Sequence, residues 1–147
     1  MKSLLILLAI VSGAVLPIQA ALNGKMGKAV GDPIYASLIS FIVGSFGLLI
    51  YVLASKTPLS SITQATQVNW TVWLAGILGA FYVAFMIILA PKLGVSLTFG
   101  LVVTGQLGIS LIIDHFGLIG IPIHHISWQR ILGILFIIAG VIMIRRF

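Results

Sequence analysis

Five apolar stretches, separated by short polar breaks, constrain this chain more than anything else in its sequence. They lie at about 4–22, 34–54, 70–90, 95–113 and 128–144, each close to the roughly 20 residues that cross a hydrocarbon core. Lipid offers no hydrogen bonds, so the backbone of each stretch has to satisfy itself as a helix. The expected fold is therefore an all-α membrane protein with five transmembrane helices. Composition agrees: hydrophobic residues make up 61%, charged residues only 7%, and the mean hydropathy is +1.27, far from the shares of a soluble domain. Little chain remains outside the spans, so residues 1–147 read as a single transmembrane domain.

The fourth span is the most informative. It carries Ser96, Thr98, Thr104, Gln106 and Ser110 within apolar sequence, and Asp114 at its end. At about 100° per residue, Gln106, Ser110 and Asp114 form one stripe along a helix. Gly100, Thr104 and Gly108 lie beside it, small residues four apart that allow a neighbouring backbone close. Two readings of this face stay open. It is glue between helices, or it is a wall facing a solute.

Other spans repeat the theme more weakly. In the first, Ser12, Gln19 and Asn23 fall on one polar face, with Pro17 beside Gln19 as an expected kink or freed carbonyl. Lys2 followed by an apolar core has the outline of a secretory signal. Ile18 is too bulky for its cleavage region, however, so retention as helix one is expected. The sequence suggests a turn over 23–28, then Asp32 and Pro33 as a helix start, the carboxylate capping free amides. Ser37, Ser40, Gly44 and Gly47 share a face of the second span, and Gly76, Ala80 and Ala84 a face of the third. In the last, Arg130, Gly133, Ile137 and Gly140 do the same. Gly44, Gly76, Gly100, Gly108, Gly133 and Gly140 are thus the expected helix-packing positions.

Between spans, 55–69 is the longest polar interruption and reads as a surface loop with room for a short interfacial helix, Pro58 near its start. Trp70 and Trp73 mark headgroup depth. A tight turn over 91–94 makes the third and fourth helices antiparallel neighbours. Asp114, His115, His124 and His125 invite a metal reading, but adjacent histidines on a helix point about 100° apart and there is no second carboxylate. No metal site and no cofactor are expected. Arg130 has two roles open to it, snorkelling to headgroups or pairing with Asp114.

Enzyme templates fail. Cysteine is absent, which removes disulfides and thiolate chemistry, and there is neither a phosphate cradle nor a nucleophile elbow. Catalysis is not expected. The net charge of +6 is dispersed over span ends and suits lipid headgroups rather than nucleic acid. Five spans put Lys2, Lys56 and Arg130 on one side and Lys25, Lys28, Lys92, Arg145 and Arg146 on the other. That bias slightly favours a cytoplasmic C terminus and leaves room for dual topology. Five helices alone would scarcely enclose a path. Pairing with an inverted copy would give ten helices around an in-plane pseudo-two-fold axis.

The stretches PIQAALNG (17–24), DPIYASLISFIVG (32–44), WLAGILGAFYV (73–83) and GQLGISLIIDHFG (105–117) together resemble the bacterial YdcZ-like proteins, a five-span branch of the drug/metabolite transporter superfamily. The resemblance runs nearly end to end. It implies a multi-pass protein of the bacterial inner membrane that works as an antiparallel dimer, either a homodimer or a heterodimer with a paired homologue. It does not imply a substrate. Small multidrug relatives use a membrane-embedded glutamate, and Gln19 at the matching place argues against a proton-coupled cation exporter. The leading expectation is a secondary transporter or exporter of a small solute, its path lined by Gln19, Asn23, Thr104, Gln106 and Ser110, with Asp114 as a proton site near one mouth. The alternatives are a non-transporting membrane subunit that scaffolds a partner complex and, more weakly, a passive ion channel.

Overall fold

A computed structural model describes residues 2–55 and 58–147; Lys56, used above for topology, lies outside them. Among the described residues there are five α-helices and no strand: α1 (Lys2–Val30), α2 (Pro33–Ala54), α3 (Leu74–Leu93), α4 (Val95–Phe116) and α5 (Trp128–Arg146). With short 3-10 turns before α3, all five are long and apolar enough to cross a membrane.

The helix limits follow from a few backbone signals, and two differ from expectation. The stretch 23–28 is not a turn, because α1 continues through it to Val30. Lys25, Met26 and Lys28 are good helix formers, and the stop comes at Gly31, whose φ of 76° is the left-handed conformation that ends helices. At 29 residues and about 1.5 Å each, α1 is about 43 Å long, more than a hydrocarbon core of about 30 Å, so one end has to reach headgroup depth. Lys25 and Lys28 suit that end. The turn over 91–94 is also shorter than expected. Pro91 stays inside the last turn of α3, and Gly94, at φ 85°, makes the break and leads straight into α4.

Asp32 caps α2 as anticipated, its carboxylate accepting from the amides of Ile34 (2.6 Å) and Tyr35 (3.2 Å), with Pro33 in the first turn. The polar interruption holds a 3-10 run at Leu59–Gln67. There the Thr63 and Thr66 hydroxyls donate to carbonyls three residues back, at 2.6 and 2.7 Å. A second 3-10 turn, Trp70–Trp73, is capped by the Asn69 side chain on the Thr71 amide.

The chain forms two compact units, Met1–Pro91 and Lys92–Phe147. In the first, α1 packs on α2 where Gly27 comes close to Pro33, Ala36 and Ile87. Ala20, Ala36, Ala84, Met86, Ile87 and Ala90 are its buried apolar residues. In the second, α4 packs on α5 with Gly100 against Val141; a Cβ at Gly100 would lie 2.7 Å from a Val141 methyl. No heavy atom of the described residues approaches within 4 Å of a Cβ built at Gly44, Gly76, Gly108, Gly133 or Gly140. Those positions face open space in the single chain.

Candidate functional site

Polar groups inside the spans separate into two kinds. Thr98 and Thr104 satisfy themselves, their hydroxyls donating to the Gly94 (2.7 Å) and Gly100 (2.9 Å) carbonyls of the preceding turn. Threonine can do this without leaving its own helix. Gln106 and Ser110 are exposed on α4, and no side chain or carbonyl of the described residues bonds them. On α1, Gln19 is half-buried and Asn23 buried, one turn apart in the first unit.

Asp114 closes the stripe differently. Its carboxylate pairs with Arg130 of α5, so of the two roles open to Arg130 the structure shows the ion pair. The guanidinium donates through Nη2 to Asp114 and through Nη1 to the His124 carbonyl at 3.0 Å. The His124 amide in turn donates to the Asp114 carbonyl at 2.8 Å. One arginine therefore ties the end of α4, the connecting loop and the start of α5. Ser127 caps α5, its hydroxyl accepting from the Arg130 amide at 3.3 Å.

His115 adds a second tie. Its Nδ1 accepts from the Ile126 amide at 3.2 Å, and its ring meets that of His125 edge to face, centroids 5.5 Å apart. The loop can fold back this far because Gly117 ends α4 in the left-handed conformation, at φ 60°, with Ile123 against it. Sequence reasoning reached the Asp114–Arg130 pair as one option but missed His115 as an acceptor and the His124 carbonyl as a ligand for Arg130. Loop backbone geometry has no sequence pattern that would have disclosed them.

Two recesses meet at Arg130. Along the helices, a groove of about 250 Å³ is lined by Leu107, Ser110, Leu111, Ile134 and Ile137 with Gly133 and Arg130. Over the loop, an open recess of about 420 Å³ is lined by His124, His125 and Arg130. In the first unit, a separate groove of about 570 Å³ between α2 and α3 is almost wholly apolar, with Phe41, Phe81, Phe85 and Ser37 among its lining residues. Of the residues expected to line a path, the structure thus brings Ser110 and Asp114 to a common neighbour, Arg130, and keeps Gln19 and Asn23 together on α1.

Five apolar helices with short connections define a multi-pass helical membrane protein. A family model described as "Putative inner membrane exporter, YdcZ" matches residues 4–143, and the chain belongs to that family. It is accordingly an inner-membrane protein of a family described as exporters. No curated protein and no solved structure matches it.

Proposed function

We propose that the chain is a secondary transporter that exports a small solute and works as an antiparallel dimer of five-helix chains, in the manner of the drug/metabolite transporter superfamily. The observation that carries this reading is Gln106, an amide exposed on a membrane-spanning helix without a hydrogen-bond partner among the described residues. Leaving such a group against lipid costs on the order of 2–7 kcal/mol, so a second chain, water or solute has to meet it. Ser110, one turn further on, extends the same demand. Open glycine positions on α2, α3, α4 and α5 are suited to a second copy approaching closely. In this reading Gln19, Asn23, Thr104, Gln106 and Ser110 provide neutral hydrogen-bonding groups along the path. In the same reading Asp114 lies at one mouth, held by Arg130.

Ligand-dependent thermal stabilisation of the purified protein tests the reading, because a ligand that binds only the native state at 100 times its Kd adds about 2.7 kcal/mol. Gln106→Ala and Gln19→Ala are expected to abolish that stabilisation while leaving dimer assembly intact. Normal binding by both variants would reduce the polar stripe to packing. Dimer geometry is tested separately by placing single cysteines at each terminus of this cysteine-free chain and labelling intact cells. Partial labelling of both termini, completed on permeabilisation, is the result expected of dual insertion. Labelling of one terminus alone would require an oppositely oriented homologue as the partner.

A further inference from the structure

We propose that the α4–α5 end of the second unit binds an anionic phospholipid, with the phosphate at Arg130, His124 and His125 and an acyl chain in the groove between the two helices. This goes beyond the transport reading and does not depend on it.

Arg130 lines both recesses, and the recesses differ in chemistry in the way a lipid does. One is walled mainly by the aliphatic side chains Leu107, Leu111, Ile134 and Ile137. The other is lined by Arg130, His124 and His125. A ligand that fills both needs an acid group joined to a hydrocarbon tail. The depth is also right for a lipid. Trp128 is 66% exposed beside Arg130, and indole rings favour the headgroup layer. The loop between the helices exposes Leu118, Ile119, Ile121 and Ile123, an apolar surface suited to the membrane boundary and poorly suited to water.

Free hydrogen-bond donors favour a phosphate headgroup. Asp114 occupies part of the guanidinium and cancels its charge, yet Arg130 has five N–H donors, and the contacts to Asp114 and His124 leave others to reach a phosphate. The imidazoles of His124 and His125 make no hydrogen bond within the described residues, and the bonds of His124 run through its main chain. They are available to an incoming anion. The charged and titratable groups facing the site are therefore Asp114, His115, His124, His125 and Arg130.

The test uses the purified full chain in neutral detergent, titrated with dioleoyl phosphatidylglycerol, dioleoyl phosphatidylcholine or inorganic phosphate. Retained lipid is read by native mass spectrometry and stability by thermal unfolding. Phosphatidylglycerol is expected to be retained at least about tenfold more strongly than phosphatidylcholine. The double variant His124→Ala/His125→Ala keeps every main-chain bond of the loop and should lose most of this selectivity. Ile137→Trp fills the groove without altering charge and should lower retention of the anionic lipid. Arg130→Gln should abolish selectivity, but it also breaks the Asp114 pair, so the other two variants decide. Equal retention of the two lipids, or unchanged selectivity in the histidine and groove variants, would overturn the proposal. So would equal stabilisation by inorganic phosphate alone, which would make this a site for free anions. An Ile137→Trp variant that altered only self-association would assign the groove to a second copy instead.

Discussion

The chain has only two acidic residues, and they do opposite kinds of work. Asp32 acts locally. It caps the helix it precedes, bonding amides two and three residues away, and the α1–α2 junction is otherwise a matter of small residues in close approach, Gly27 against Ala36. Asp114 acts across 16 residues, through an arginine that also holds the intervening loop. The first junction is short and needs only a cap. The second has to secure an apolar loop with left-handed residues at Gly117, Ile119 and Gly120, and it uses charge to do so. A carboxylate near a membrane boundary is thus either spent on backbone amides or kept in a pair.

Removing one partner of each acid should expose that difference most strongly. Arg130→Gln leaves Asp114 without its cation and frees the His124 carbonyl. The pair is partly exposed, at 36% and 24% of the side-chain surfaces, so the cost should fall below that of a buried pair, at about 1–3 kcal/mol. Asp114→Asn combined with Arg130→Gln should recover part of it, and a double-mutant cycle on thermal unfolding measures the coupling. Additive losses would mean that the pair contributes no coupling energy.

Close approach sharpens the comparison at the next level. Gly100→Ala brings a Cβ to 2.7 Å from Val141, and overpacking of this kind costs about 1–3 kcal/mol; Val141→Ala in the same chain should restore much of the loss. Gly27→Ala meets an Ile87 methyl at 3.3 Å, a milder approach than that at Gly100, so its effect should be smaller. Thermal unfolding of the three variants checks both statements. Asp32→Ala should cost about 1 kcal/mol, as loss of a helix cap does, while Asp32→Ser should retain most of the stability.

The helices and their number could be read from hydropathy because apolar runs of membrane length have few alternatives. The Asp32 cap was legible for a similar reason, since Asp followed by Pro before an apolar run has one favourable local arrangement. What failed was local balance. The two-glycine stretch from Asn23 to Lys28 resembles a turn, yet α1 continues to Val30, because the stop is decided by which glycine takes positive φ. At the candidate site, the stripe of Gln106, Ser110 and Asp114 followed from helical spacing alone. The partners of its members followed only in part: the Asp114–Arg130 pair was one of two roles open to Arg130, and helical spacing could not choose between them. Beside the stripe, Thr104 turned to its own backbone.

The smallest expected effect is also the most specific to the second junction. His115 accepts the Ile126 amide through Nδ1, a bond in an exposed loop with a net contribution of about 0.5–1.5 kcal/mol. His115→Ala should therefore leave global unfolding almost unchanged and raise hydrogen exchange at the Ile126 amide. The Arg130 contacts to Asp114 and to the His124 carbonyl need no imidazole, so the amide of His124 should stay protected in that variant. If both amides lose protection together, the loop opens as one unit and His115 holds no separate part of it. If Ile126 alone responds, the α4–α5 junction has two independent ties, one of charge and one of a neutral acceptor, where the α1–α2 junction has a single cap.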